Sequence, residues 1–174
     1  MHTAYFVIGA SGSGKTSAVH ELEKSGRPGL KTFFFDRIGV PSEQERIERW
    51  GSGGGWQRAM TIEWVRRMSG ELAHSDVLLD GQTRPSFIVE ACELSAVTRY
   101  RIILIDCSED VRRERLVQRG QPELANEQMM EWGRWLLRET RKVGGDVIHN
   151  DNLSIAETAD ALEAIVSRHA PKHC

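Results

Sequence analysis

The chain has 174 residues, of which 40% are hydrophobic and 28% are charged, as is usual for a globular protein. This length suits one domain, 1–174, and supplies enough apolar residues for a hydrophobic core. The formal net charge is −2, so no overall positive field would recruit nucleic acid or an anionic membrane surface, and we expect neither partner.

Short apolar runs alternate with helical patterns along the whole chain. The apolar runs predict strands at 4–8, 32–35, 77–79, 101–105 and 146–148. Apolar periodicity and cap residues predict helices at 15–25, 42–50, 56–73, 85–96, 108–119, 126–143 and 154–169. Such alternation predicts an α/β fold in which a parallel sheet lies between layers of helices. Ligands bind such a sheet at the carboxyl ends of its strands.

The most specific pattern follows the first predicted strand. Residues 9–16 read G-A-S-G-S-G-K-T and match the phosphate-binding pattern G-x-x-x-x-G-K-[ST] at every fixed position. Glycines let backbone N–H groups turn toward phosphate oxygens, and the N-terminus of the next helix adds partial positive charge. We predict that ATP binds along Gly9, Ala10, Ser11, Gly12, Ser13, Gly14, Lys15, Thr16 and Ser17.

Two side chains of this loop, and one beyond it, have separate predicted roles. Lys15 would act as the catalytic cation on the terminal phosphates, and the Thr16 hydroxyl would be a ligand of Mg²⁺. Asp80 ends the third predicted strand beside the loop, where a carboxylate can hold a water molecule bound to the same Mg²⁺. The alternative for Asp80 is a turn that begins at Asp-Gly.

Asp36 follows Phe35 at the end of the second predicted strand, on the same edge of the sheet. A carboxylate there would face an acceptor and could take the proton of its hydroxyl group, so we predict a catalytic and substrate-binding role for Asp36. The alternative is a helix cap or a turn, since aspartate favours both. The neighbouring Arg37 could pair with Asp36 or bind an anionic group of the acceptor.

The chain resembles the P-loop kinases of small molecules and nucleotides in three further segments. Residues 80–84, D-G-Q-T-R, are similar to the D-G-F-P-R stretch of adenylate kinase and related nucleoside-monophosphate kinases, with Gln-Thr in place of Phe-Pro. The resemblance implies that Arg84 holds the acceptor. Residues 115–119, R-L-V-Q-R, resemble the R-x-x-G-R element that grips donor phosphates, which implies catalytic roles for Arg115 and Arg119.

The third segment, 149–157, resembles the ending of many small P-loop kinases whose loop contacts adenine, which implies that Asn150 binds the nucleotide. Independently of any family, guanidinium groups suit phosphoryl transfer because they neutralise phosphate oxygens and hold their proton. Arg134, Arg138 and Arg141 belong either to this set or to a solvated helix face.

The resemblance also implies a detailed architecture. It implies a three-layer P-loop NTPase fold with a five-stranded parallel sheet in the order 2-3-1-4-5, helices on both faces and a short lid at about 120–126. Shikimate- and gluconate-kinase-like enzymes share such a short lid. A glycine run at 51–55, between Trp50 and Trp56, predicts a flexible joint between two helices.

The cysteines bear on the cellular compartment. Cys92, Cys107 and Cys174 form no C-x-x-C pair, and we find no signal peptide, so we expect reduced thiols in a cytoplasmic protein. Cys92 and Cys107 lie in apolar surroundings, which favours packing over reactivity. No apolar run approaches the length that crosses a bilayer.

The favoured function is an ATP- and Mg²⁺-dependent kinase of a small-molecule acceptor. A nucleoside monophosphate, a sugar acid, a cyclic polyol and an antibiotic hydroxyl all remain open as acceptors. The alternative function is a P-loop ATPase or a nucleotide-dependent switch acting on a protein partner. A kinase of nucleic-acid ends would need a continuous basic face with aromatic platforms, whereas Trp132 and Trp135 share a helical spacing that packing explains.

Overall fold

Parallel strands pair side by side into one five-stranded sheet. The structure, a computed structural model, describes residues 2–169. The strands are β1 (Ala4–Ile8), β2 (Leu30–Phe34), β3 (Asp76–Asp80), β4 (Tyr100–Asp106) and β5 (Asp146–His149). Their order is β2-β3-β1-β4-β5, and every neighbouring pair is parallel. The predicted α/β fold and strand order are therefore confirmed.

The connections between strands are helical. The helices are α1 (Lys15–Lys24), α2 (Glu43–Trp50), α3 (Gly53–Ser69), α4 (Pro85–Leu94), α5 (Glu109–Gln118), α6 (Glu127–Lys142) and α7 (Ile155–His169). Single turns of 3₁₀-helix occupy Phe35–Ile38, Glu71–Ala73 and Pro122–Leu124. Within residues 2–169, every helix is too short or too polar to cross a lipid bilayer.

Alternate side chains of the central strand β1 supply the two hydrophobic cores. Tyr5 and Val7 pack on one face of the sheet, in a cluster that includes buried residues of α1 and α7. Ala4, Phe6 and Ile8 pack on the opposite face with α3, α4 and α6. Because both faces of β1 are covered, the strand is apolar along its whole length, as its sequence predicted.

The strand register places the predicted site residues at one edge of the sheet. Asp80, the last residue of β3, pairs with Val7 of β1 and with Phe34 of β2. The loop after β1 and the turn after β2 therefore start at the same level as the Asp80 carboxylate. This is the carboxyl edge, where ligands of parallel sheets bind.

The second strand ends one residue earlier than predicted. The backbone leaves the sheet at Phe35 because the carbonyl group of that residue accepts a hydrogen bond from Nε1 of Trp64 at 3.0 Å, and its side chain is buried. Asp36 therefore lies in a 3₁₀ turn and not directly at a strand end.

The glycine run between α2 and α3 is mostly helical. Gly51 ends α2 with a φ of 76°, and α3 begins at Gly53 after a single intervening residue, Ser52, whose hydroxyl caps the helix. A β-carbon on Gly55 would lie 2.1 Å from the carbonyl oxygen of Trp50, so the two helices meet too closely there for a side chain. The predicted joint thus reduces to Gly51 and Ser52.

Candidate active site

The loop between β1 and α1 has a conformation that requires its glycines. Gly12 and Gly14 have φ angles of 81° and 84°, in the left-handed region that favours glycine. A β-carbon on Gly9 would lie 2.7 Å from the carbonyl oxygen of Ile105, so the loop passes β4 at backbone distance. The first turn of α1 contains no acidic residue, and nothing within that turn offsets the partial positive charge of the helix N-terminus.

Lys15, Thr16 and Asp80 form a hydrogen-bonded cluster at this helix N-terminus. Nζ of Lys15 donates to Oδ1 of Asp80 at 2.5 Å and to the Thr16 hydroxyl at 3.0 Å. The Thr16 hydroxyl in turn donates to Oδ2 of Asp80 at 2.9 Å. Asp80 is only 4% exposed, so its carboxylate depends on these partners for compensation of its charge. The structure thus brings Asp80 into contact with two neighbouring residues, Lys15 and Thr16, from which it is separated by 65 and 64 positions in the sequence.

A cleft of about 360 Å³ opens over the loop. It is lined by all of residues 9–17, by Asp80, Gly81 and Gln82, and by Asp36, Arg37 and Arg119. Asp36 and Arg37 are exposed, and the Arg37 guanidinium lies 4.6 Å from the ring centre of Phe34. Within residues 2–169, the Asp36 carboxylate has no hydrogen-bond or ion-pair partner. Asp36, Arg37 and Arg119 therefore face the same cleft as the glycine loop.

Arg115 and Asn150 brace the loop from behind. Nη1 of Arg115 donates to the carbonyl oxygen of Ser13 at 3.3 Å and to Oδ1 of Asn150 at 3.0 Å. Nδ2 of Asn150 donates to the same Ser13 carbonyl at 2.9 Å. Asn150 is 3% exposed, so both polar ends of its side chain are committed to this network. Arg115 and Asn150 contact the loop itself and not the open part of the phosphate cleft.

A smaller cleft of about 280 Å³ lies beside this network. It is lined by Gly12, Gly14, Ser17, Arg115, Gln118, Arg119, Asn150, Leu153, Ile155 and Thr158. Arg119 lines both clefts, at the end of α5. The mixture of apolar side chains and glycine-loop backbone suits a flat ring attached to phosphates held in the larger cleft.

Arg84 lies away from the phosphate cleft, at the N-terminus of α4. It lines a third cleft of about 620 Å³ together with Gln82, Leu124, Asn126, Gln128, Met129, Glu131, Trp132 and Trp135. Gln82 lines both this cleft and the phosphate cleft, so the two spaces adjoin. Arg84 is thus placed to contact a molecule that extends beyond the phosphates.

The predicted lid region joins α5 to α6 by a short, tethered turn. Gly120 has a φ of 71°, and the 3₁₀ turn Pro122–Leu124 follows it. Nη1 of Arg113 donates to the carbonyl oxygen of Ala125 at 2.9 Å. Arg134 and Arg138 pair with carboxylates, Arg134 with Glu109, Glu127 and Glu131 and Arg138 with Glu131, as expected for a solvated helix face.

The described cysteines pack in the interior, as predicted. Burial raises the pKa of the Cys92 thiol to about 12, and burial likewise raises the pKa of Cys107. Both thiols are therefore protonated at neutral pH and poor nucleophiles. Cys174 lies outside the described residues.

Solved structures of other proteins share this architecture closely. The shikimate kinase from Acinetobacter baumannii in complex with shikimate superposes with a TM-score of 0.62 at 19% identity, covering 97% of this chain and 94% of that chain. A gluconokinase from Sinorhizobium meliloti gives a TM-score of 0.64 at 21% identity, covering 97% of this chain and 93% of that one. The fold is that of P-loop small-molecule kinases.

A third solved structure with this fold is the Deinococcus radiodurans tunicamycin resistance protein. Its TM-score is 0.61 at 17% identity, and the match covers 95% of this chain and 96% of that chain. No protein-family model matches the sequence, and no curated protein sequence matches it. At identities this low the likeness establishes the P-loop kinase fold and nothing beyond it.

The donor set of the site fits a magnesium ion that is shared with a nucleotide. Residues 2–169 contain no group of three or more His, Cys, Asp or Glu side chains arranged around a metal position. The Thr16 hydroxyl and the Asp80 carboxylate lie 2.9 Å apart and offer two oxygen ligands. Mg²⁺ typically takes one or two protein oxygens and completes its shell with phosphates and water, so this pair is sufficient.

Sequence reasoning missed the third cleft of this P-loop kinase fold. Trp132 and Trp135 pack against the hydrophobic core, as their helical spacing predicts, but both are half-buried and also line the cleft beside Arg84. In the sequence, Gln82 is distinguished only by its difference from the D-G-F-P-R stretch. The sequence feature that could have indicated this cleft is the pair of tryptophans, three residues apart, on the helix that follows the predicted lid.

Proposed function

We propose that the protein is an ATP- and Mg²⁺-dependent kinase that transfers the γ-phosphoryl group of ATP to a small-molecule acceptor. The observation that carries this proposal is the cluster of Lys15, Thr16 and Asp80 inside the glycine-loop cleft. A cation, a hydroxyl and a buried carboxylate at a helix N-terminus match the needs of a magnesium-bound polyphosphate. The kinase fold of the solved structures adds support.

Residues 9–17 would hold the phosphates, and Thr16 and Asp80 would hold the metal. ATP would supply the phosphoryl group, and Mg²⁺ would neutralise part of the phosphate charge. Lys15, which pairs with Asp80 in this structure, would turn its ammonium group to the terminal phosphates. Its charge stabilises the oxygens that gain charge during transfer.

Asp36 would orient the acceptor hydroxyl and accept its proton as the new P–O bond forms. Its carboxylate faces the phosphate cleft and is unpaired among residues 2–169, which leaves it available to an acceptor. Arg119, which directly follows α5, lines the same cleft and would neutralise phosphate charge. Arg37, which lines the same cleft, would contact the acceptor beside Asp36.

Arg115 and Asn150 would support nucleotide binding indirectly, by fixing the conformation of the glycine loop. Their shared hydrogen bonds to the Ser13 carbonyl fix the loop backbone whose N–H groups bind phosphate. Arg84 would bind an anionic group of the acceptor in the adjoining cleft. We further propose that the segment 120–126 acts as a short lid of a single domain, since closure excludes the water that would compete with the acceptor.

The test is acceptor-dependent ATP consumption. ADP formation is measured with Mg²⁺ and ATP, alone and with a panel of sugar acids, cyclic polyols, nucleosides and nucleoside monophosphates. A kinase gives ADP in proportion to a phosphorylated product, whereas an ATPase or switch consumes ATP equally without acceptor. Lys15→Ala should lower turnover ~10²-fold or more. The matched control is Lys24→Ala, because Lys24 lies on the same helix, is exposed and, among residues 2–169, pairs only with Glu21.

A further inference from the structure

The cleft around Arg84 is larger than the phosphate cleft and differs from it in chemistry. Its volume is about 620 Å³, against about 360 Å³ over the glycine loop. Its apolar walls are Leu124, Met129, Trp132 and Trp135, and amide side chains of Gln82, Asn126 and Gln128 lie among them. Since Gln82 borders both clefts, a molecule that presents a hydroxyl at the phosphates would extend its body into this space.

The two tryptophans stack on each other and form an aromatic wall of the cleft. Trp132 and Trp135 are three residues apart on α6, and their rings stack with centroids 5.0 Å apart and planes at 12°. Both are half-buried, so part of each side chain remains accessible from the cleft. Nε1 of Trp132 is buried and lacks a hydrogen-bond acceptor within residues 2–169. Aromatic side chains that line a cleft are typical of a surface that receives a ring.

Arg84 lies against this wall without a counter-ion. Its guanidinium carbon is 5.6 Å from the ring centre of Trp132, 5.3 Å from that of Trp135 and 5.4 Å from that of Phe87. No carboxylate among residues 2–169 pairs with it, and its buried Nε has no acceptor there. Glu131, the one acidic side chain among the described residues that line the cleft, already pairs with Arg134 and Arg138. The cleft therefore carries an uncompensated positive charge beside an aromatic surface.

We infer that the acceptor of the proposed kinase carries a flat ring and an anionic group, in addition to the reacting hydroxyl. The ring packs against the stacked pair of Trp132 and Trp135, and the anion binds Arg84. This inference rests on the proposed function and narrows its acceptor class to ring-bearing acids larger than a simple sugar acid. A small polyol or sugar acid would leave the aromatic wall exposed to water.

Three probes of matched shape test the ring and the anion separately. Phenyl β-glucuronide has both, methyl β-glucuronide lacks the ring, and phenyl β-glucoside lacks the anion. Dissociation constants are measured by titration calorimetry with the full chain. Stacking predicts that the phenyl glucuronide binds about 2- to 12-fold more tightly than the methyl glucuronide. A charge-assisted bond to Arg84 predicts about 10- to 150-fold tighter binding than the phenyl glucoside.

Substitutions of Trp135 and Arg84 test whether these side chains cause the two binding preferences. Trp135→Leu keeps an apolar side chain and removes the ring, so the preference for phenyl over methyl should disappear. Trp135→Phe keeps an aromatic face and should retain most of it. Arg84→Ala should abolish the preference for the anion. Thermal unfolding of each variant shows that a lost preference reflects the cleft and not the fold.

Equal affinity for phenyl and methyl glucuronide, equal losses in Trp135→Leu and Trp135→Phe, or no binding of any probe would overturn the inference. Failure of the kinase proposal has a different signature. In that case ADP formation stays independent of every acceptor, although the probe affinities follow the predicted order. The binding titrations contain no ATP, so the two results cannot be confused.

Discussion

A β-carbon on Gly133 would lie 1.5 Å from Nη1 of Arg112, so α6 can approach α5 only because position 133 has no side chain. The Arg112 guanidinium fills that space and is 2% exposed. Its Nη2 donates to Oδ1 of Asp106 at 2.7 Å and to the carbonyl oxygen of Cys107 at 3.2 Å. Burial raises the pKa of Asp106, although the charge of Arg112 opposes that shift. This buried pair joins the end of β4 to α5 and α6.

Gly133→Ala should therefore destabilise the protein strongly. The methyl group displaces the Arg112 guanidinium and separates it from Asp106, and breaking a buried ion pair costs roughly 3–5 kcal/mol. Alanine regains about 1 kcal/mol of helix propensity, so we expect a net loss of roughly 2–4 kcal/mol in the free energy of unfolding. Urea denaturation at pH 7 measures it.

The control for this substitution is Gly70→Ala. A β-carbon on Gly70 would meet only the carbonyl oxygen of Arg67, at 3.9 Å, and the residue has a right-handed helical conformation with a φ of −67°. Its free energy of unfolding should stay within about 0.5 kcal/mol of the wild type. Similar losses for the two glycines would contradict the role assigned to Arg112.

The fold could be predicted because its signals are local. The glycine loop, the apolar strands and the Ser154–Glu157 capping pattern each lie within a short segment, and the structure shows the reciprocal capping bonds of the last one. The order of the strands came from the resemblance to P-loop kinases, whose glycine loop is a specific signal. The cluster at Lys15 followed from the rule that strand ends share one edge.

The features of the site that could not be predicted depend on contacts between segments that are distant in the sequence. Arg112 is one of several arginines on α5, and only the close approach of Gly133 shows that it is buried. Asn150 was predicted to bind nucleotide, but its side chain bonds to Ser13 across 137 positions. Arg84 meets Trp132 across 48 positions through the packing of α4 and α6. Periodicity within one segment carries no information about such long-range contacts.

Asn150→Ala should weaken ATP binding while leaving the fold intact. The variant removes a donor to the Ser13 carbonyl and an acceptor for Arg115, so the glycine loop loses its brace. ATP must then order the loop on binding, and an ordering cost of about 1–2 kcal/mol lowers the ATP affinity measured by calorimetry roughly 5- to 30-fold. Asn152→Ala is the control, because Asn152 is an exposed residue of the same turn. Equal ATP affinity in both variants would remove Asn150 from the nucleotide site.

Glu63 should stabilise the fold in a pH-dependent way. Hydrogen bonds from Arg66 and then Arg67 lower the pKa of Glu63 from 4.5 to about 2. Since the folded pKa is below the unfolded one, the stabilisation is complete above about pH 4.5 and is lost as the pH falls toward 2. The side chain is 28% exposed, so solvent limits the effect to about 1 kcal/mol.

Glu63→Gln should accordingly lower the free energy of unfolding at pH 7 by up to about 1 kcal/mol. The difference from the wild type should shrink as the pH is lowered from 5 to 3, in urea titrations at each pH. Glu43→Gln serves as a surface control, since Glu43 is an exposed residue at the start of α2. A gap between Glu63→Gln and the wild type that stays constant over this pH range would disprove the assigned pKa.

Asp36→Asn distinguishes a hydroxyl acceptor from a phosphate acceptor. A hydroxyl must lose its proton during transfer, and a positioned carboxylate contributes ~10²–10⁴-fold to the rate. A phosphate acceptor already presents an anionic oxygen and needs no base. Asparagine keeps the size of the side chain and removes its basicity, and Asp36 is exposed, so packing should change little. We expect turnover to fall at least ~10²-fold with unchanged ATP affinity.

The control for this change is Asp36→Glu. Glutamate keeps a carboxylate but extends it by one methylene toward the cleft that Asp36 lines. It should recover part of the turnover that asparagine loses, because the proton acceptor is restored at a displaced position. Near-normal turnover in Asp36→Asn would instead reject Asp36 as the base, and would favour an acceptor phosphate held by Arg84. The turnover of the wild type, Asp36→Asn and Asp36→Glu with acceptor therefore distinguishes a hydroxyl acceptor from a phosphate acceptor.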